Sequence, residues 1–130
     1  MYDIAIIGGG PAGLAAGLYG ARGGMDTVLL ENMLVGGQIT KTTQVDNYPG
    51  FPDGIDGFAI GTNMQKQAER FGLEIKRTGV DSVELEGEIK RLYCGREVIE
   101  AKAVIIATGA HPKKLGLDRE EKLTGAGVSY

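Results

Sequence analysis

Gly8, Gly10 and Gly13 stand in the spacing G-x-G-x-x-G, directly after the apolar run Tyr2–Ile7 and around the start of an alanine-rich segment at Pro11. Glycine has no side chain, so any chemistry here belongs to the backbone. Unpaired N–H groups at a turn that opens a helix, with the positive end of the helix dipole behind them, hold an anion such as a pyrophosphate. In that reading Gly8 permits the tight turn, Gly10 lets the backbone approach the anion, and Gly13 lets the helix lie close on the strand. Glu31 follows 18 residues after Gly13, near the ~20 expected of a carboxylate that holds a ribose hydroxyl pair. A solvated acid at a strand end is the plain alternative.

The other candidates are sparser. Gly36-Gly37-Gln38 and Asn47-Tyr48-Pro49-Gly50 read equally well as ordinary turns or as ligand contacts, since Gln38 and Asn47 each offer donor and acceptor. Cys94 is the single cysteine, which excludes an internal disulfide framework and fits a reducing compartment. It reads as a structural or surface thiol. His111, beside Pro112-Lys113-Lys114, reads as a solvated linker residue. No catalytic residue and no metal site is expected.

The elements that position these residues follow from the pattern. Tyr2–Ile7 is a buried strand and Pro11–Arg22 a helix, with proline in the first turn, where its missing N–H does no harm. Residues 27–31 form a second buried strand, parallel to the first. Interior glycines cost a helix about 1 kcal/mol each, so Gly17 and Gly20, on the Gly13 face, imply close helix–sheet packing. Residues 32–57 lack a period. Residues 57–71 form a helix with Phe58, Ile60, Met64, Ala68 and Phe71 inward, and 73–76 a short strand. Val80, Val83 and Leu85, then 89–93, then 97–101 form a three-stranded antiparallel meander. Residues 103–107 are a buried parallel strand, and 111–130 has no strong period. The expected fold class is α/β, a Rossmann-like parallel sheet carrying a meander.

Hydrophobic content of 42%, charge of 24% and net charge −3 describe a globular protein without the basic surface that nucleic acid requires. No apolar run approaches the ~20 residues of a membrane span, and no signal peptide is expected. A cytoplasmic location is expected. The glycine motif alone does not choose between NAD and FAD. The long loop and meander before the next parallel strand favour FAD.

GGGPAG at 8–13, VGGQITKTTQVDNYPGF at 35–51, IIATGA at 105–110 and GAGVSY at 125–130 together resemble bacterial thioredoxin reductases, the low-molecular-weight flavoprotein disulfide reductases. The resemblance covers the N-terminal part of such an enzyme. It implies that residues 1–110 belong to the FAD-binding domain and that 111–130 are a linker into the next domain. It places the pyrophosphate on Gly10, Pro11 and Ala12, and the adenosine ribose at Glu31. It runs Asn32, Met33, Leu34, Val35, Gly36, Gly37 and Gln38 along the cofactor and puts Thr43 and Asn47 near the flavin. Val80 borders the adenine, and Ala107, Thr108 and Gly109 close over the cofactor. It also implies NADPH as donor, thioredoxin as partner and a homodimer. The family's Cys-x-x-Cys pair, second glycine fingerprint and Gly-Asp motif are not in these 130 residues. The segment is therefore expected to be inactive by itself and to hold FAD weakly. A relative with another donor or acceptor (ferredoxin- or flavin-linked thioredoxin reductase, peroxiredoxin reductase) and a non-catalytic nucleotide-binding module are the alternatives.

Overall fold

The computed structural model describes residues 1–129. Strand β1 (Tyr2–Ile7) leads through the glycine turn into α1 (Pro11–Arg22) and then β2 (Thr27–Leu30). A 3-10 turn (Gly37–Lys41) and α2 (Gly57–Arg70) precede β3 (Glu74–Lys76). Strands β4 (Ser82–Glu84), β5 (Lys90–Cys94) and β6 (Glu97–Ile106) follow, and one helical turn, α3 (Glu120–Leu123), comes last. The six strands form one mixed sheet in the order β3-β2-β1-β6-β5-β4. The α/β class is as expected, and no described helix is long and apolar enough to cross a membrane.

One difference from the sequence reading matters for the architecture. The last meander strand and the following parallel strand are a single ten-residue strand, β6. Its first half pairs antiparallel with β5, from Cys94↔Glu97 to Lys90↔Ala101. Its second half pairs parallel with β1, from Tyr2↔Ala101 to Ile7↔Ile106. Ala101 is the hand-over point. The two halves look like two strands in sequence because they have different neighbours, hence different polarity patterns.

The sheet buries both faces. On one, Ile6 and Leu29 meet Leu14 of α1, Ala68 of α2, Val35 and Leu73. On the other, Ala5, Val28 and Leu30 meet Leu92, Cys94, Ile99 and Ala101 of the meander. The meander must therefore fold back over the parallel strands. Lys76 on β3 confirms this by reaching Glu97 on β6 at 2.6 Å, although three strand spacings of ~4.8 Å separate those strands in the sheet.

Two burial expectations fail. Phe58 and Phe71 lie outside, Phe58 being 52% exposed, while α2 buries Gly57, Ile60, Gly61 and Ala68. Phe71 instead lies under the guanidinium groups of Arg70 and Arg22. In β6, Ile105 and Ile106 are exposed, Ile106 to 62%. Beyond Ala101, β6 pairs only with β1 among the described residues, so nothing covers its outer side. Val83 and Leu85 are likewise exposed at the β4 edge, and Val80 precedes the strand.

Candidate functional site

The C-terminal ends of β1, β2 and β6 meet where the chain leaves β1 toward β2 on one side and returns through β6 on the other. Open α/β sheets bind ligands at such a switch point. Gly8 continues the ladder by donating its N–H to Leu30 O at 2.9 Å. It does so at φ +106°, and a Cβ built there would lie 2.3 Å from Ala107 O. No other residue fits. Gly13 is set by packing, since its Cβ would lie 1.9 Å from Gly8 O. Gly17 and Gly20 extend the same close approach against Leu73 and Thr27. The expected glycine face of α1 is present.

Gly10 is different. It is the N-cap of α1, at φ −73°, and apart from its chain neighbours the one described atom within reach of a Cβ there is Gly37 Cα, at 4.0 Å. Protein packing does not require glycine at this position, and the space beside it is open. No side chain caps α1, and the N–H groups of Gly10, Ala12 and Gly13 have no acceptor among the described residues. Helix α2 shows the contrast, because Asp56 caps it by accepting the Ala59 N–H at 2.9 Å. An anion fits the open end of α1, where the dipole and free donors favour it.

Glu31 leaves the end of β2 and turns back over the glycine loop. One carboxylate oxygen accepts the Gly9 N–H and the other the Met33 N–H, each at 2.7 Å. A carboxylate has about four lone-pair sites, so two remain for a pair of hydroxyls. These bonds also hold the carboxylate beside the open end of α1.

The segment from Asn32 to Gln38 forms one wall. Asn32, Met33 and Leu34 are exposed and Val35 is buried in the helix-side core. The Gly36 N–H donates to Gly9 O at 2.7 Å, and Gly37, at φ +64°, seats against Gly10. Opposite, the Ala107 N–H donates to Ile7 O at 2.8 Å, with Thr108 and Gly109 beyond it. The Gln38 amide donates across the mouth to Ala110 O, joining the two walls. Val80 packs on the meander-side core with Tyr2, Ile7 and Val104. Thr43 and Asn47 lie on the excursion between the 3-10 turn and α2, and no hydrogen bond ties them to this group among the described residues. The structure thus brings together Gly8–Gly13, Glu31, Met33, Gly36, Gly37, Gln38 and Ala107–Gly109.

The sequence reading missed Gly9, whose N–H and carbonyl join Glu31 and Gly36, and the Ala110 carbonyl. It also missed Gly61, which faces Gly36 so closely that a Cβ would lie 3.1 Å from its Cα. A glycine inside a helical pattern signals such an approach. Cys94 is buried at the end of β5, and burial pushes its thiol pKa up. It is structural. His111 is exposed. Of the GAGVSY stretch, Tyr130 lies outside the described residues.

The family model of the pyridine nucleotide-disulphide oxidoreductases matches residues 2–130. Over 130 residues the chain is 52% identical to a thioredoxin reductase of Peptoclostridium litorale, covering all of this chain and 41% of that protein. The thioredoxin reductase of Lactococcus lactis, in its FR conformation, matches all of this chain and 43% of its own with a TM-score of 0.89 and 39% identity. A ferredoxin-flavin thioredoxin reductase of Clostridium acetobutylicum matches 95% of this chain and 42% of its own at 0.79 and 31%. The chain spans about two-fifths of the length of the curated relatives it matches.

Proposed function

Because the chain belongs to the pyridine nucleotide-disulphide oxidoreductase family, we propose that it is the FAD-binding part of an NADPH-dependent thioredoxin reductase. The observation that carries this is the open, uncapped end of α1 at Gly10, with Glu31 held beside it. In this reading the free N–H groups of Gly10, Ala12 and Gly13 hold the pyrophosphate, and Glu31 accepts from the ribose. Asn32 to Gln38 and Ala107 to Gly109 flank the cofactor, Val80 borders the adenine, and Thr43 and Asn47 serve the flavin. FAD, when bound, supplies the two-electron chemistry that links nicotinamide to a disulfide. The residues of this chain bind and orient it. With one glycine fingerprint and one cysteine, the chain leaves the NADPH site and the redox dithiol to sequence outside these 130 residues. Thioredoxin as substrate, a homodimer and a cytoplasmic location belong to the same reading.

A ferredoxin-linked enzyme is the second reading, favoured by the Clostridium acetobutylicum likeness. Four curated relatives at 44–52% identity are named simply thioredoxin reductase, which favours the first. Calorimetric titration of the chain with ADP and, separately, with FMN tests the site. ADP carries the pyrophosphate and adenosine but no flavin; FMN lacks the adenosine half. Binding of ADP but not FMN supports the placement. FMN binding without ADP, or binding of neither at millimolar concentration, overturns it.

A further inference from the structure

The excursion between the 3-10 turn and α2 is a closed loop with a fastened neck. Val45 and Ile55 exchange two backbone hydrogen bonds, Val45 N–H to Ile55 O at 2.8 Å and Ile55 N–H to Val45 O at 3.0 Å. The Gln44 side-chain amide spans the same neck, donating to Asp46 Oδ1 at 3.0 Å and to Asp53 O at 3.2 Å. Gly54 sits at φ +72°, and a Cβ there would lie 2.1 Å from Gln44 Nε2 and 2.4 Å from Asp46 Oδ1. Within the loop, the Tyr48 and Phe51 rings stack 6.0 Å apart. The neck is also fixed to the glycine crevice. The 3-10 turn begins at Gly37, against Gly10, and ends where the Gly57 N–H donates to Thr42 O at 3.0 Å.

An open cleft of about 530 Å³ lies along this path, lined by Ile39, Thr42, Gln44, Val45, Asp46 and Asn47. Ile39 stands two residues after Gly37 within the 3-10 turn, so the cleft adjoins the glycine crevice and leads away from it along the chain. A dinucleotide seated at the crevice would extend its second half along this path. We infer that Gln44 is a positioning residue for the flavin half of the cofactor, acting by clasping the loop that carries Asn47. The inference rests on the proposed nucleotide site. An exposed glutamine spent on two acceptors at a loop neck, Asp53 across it and Asp46 on its own side, loses side-chain entropy. A loop that served only as a connection would gain little from that.

The test compares two ligands on the same chain. Gln44→Glu keeps the shape but removes both donors and sets a carboxylate against Asp46. Gly54→Ala displaces the Gln44 amide sterically. In each variant FAD is expected to bind about tenfold more weakly, with ADP affinity unchanged. Faster hydrogen exchange is expected at the Val45 and Ile55 amides. Parallel loss of FAD and ADP affinity would show a general structural effect and overturn the inference. So would unchanged FAD affinity, or a parent chain that binds FAD no better than ADP. If the parent binds neither ligand, the nucleotide reading itself falls. If exchange at Val45 and Ile55 is unaltered, the clasp falls while that reading stands.

Discussion

Replacing Gly10 with alanine is expected to leave the fold standing and remove nucleotide binding, whereas Gly13→Ala strikes the fold itself. At Gly10 the added methyl meets, beyond its chain neighbours, one described atom, 4.0 Å away, at a φ any residue adopts. Alanine is a poorer N-cap than glycine by roughly 1 kcal/mol, and reduced freedom of the unfolded chain returns about 0.4–1 kcal/mol. The two nearly cancel. The methyl would stand where a phosphate must approach the Ala12 and Gly13 N–H groups. Hydrogen bonds to a charged group contribute about 1.5–3 kcal/mol each, so losing two costs at least about 3 kcal/mol, on the order of a hundredfold in affinity. At Gly13 the methyl would lie 1.9 Å from a backbone carbonyl oxygen, well inside the 3.0 Å below which such contacts essentially do not occur. Overpacking of this kind costs about 1–3 kcal/mol, here at the upper end because backbone must move, and helix propensity returns about 1 kcal/mol. A net loss of about 2 kcal/mol lowers the melting temperature by roughly 8 °C at this chain length. Thermal melts followed by circular dichroism and calorimetric ADP titrations of both variants check the pair. A Gly10→Ala chain that binds ADP within threefold of the parent would refute the reasoning, as would one that melts as low as Gly13→Ala.

Two further outcomes follow from titratable groups. Glu120 accepts the Leu115, Gly116 and Leu117 N–H groups at 2.8, 2.7 and 3.1 Å, and the bond from Leu115 leads the causes that hold its carboxyl below the usual range. A depressed folded pKa means this contribution is present above the unfolded value and lost as pH falls through the folded one. Amide protection across residues 115–128 is therefore expected to persist at pH 5 and fade below the ordinary carboxylate pKa of ~4.3. Glu120→Gln is expected to have weak protection at both pH values, and equal protection in parent and variant at pH 5 would contradict this. Burial raises the Cys94 thiol pKa, with Glu97 and Asp81 adding to it. Its labelling by an aromatic disulfide at pH 8 is expected to be slow in buffer and to accelerate only through the urea unfolding transition. Rapid labelling of the folded chain would show an accessible, reactive thiol instead.

The sequence by itself determined most of the local elements and the glycine turn at the start of α1. Strand β1, helices α1 and α2 and the glycine turn are written in runs of neighbouring residues, where propensity, period and the demand for a missing side chain act over a few positions. Glu31 was legible by its spacing, and Gly17 and Gly20 by their cost to a helix. The tertiary structure alone decided that residues 97–106 are one strand. Hand-over at Ala101 from β5 to β1 is a property of neighbours that no local pattern encodes. It also decided that Phe58 and Ile106 are exposed, because a period shows which side chains share a face but not whether another element covers it. The bonds from Gly9 to Glu31 and from Gln38 to Ala110, and the Gln44 clasp at a loop neck, join groups by distance in space. Hydrogen bonds act only over about 3 Å, so these polar side chains found their partners only once the sheet and its two covered faces had brought the chain ends of several elements together.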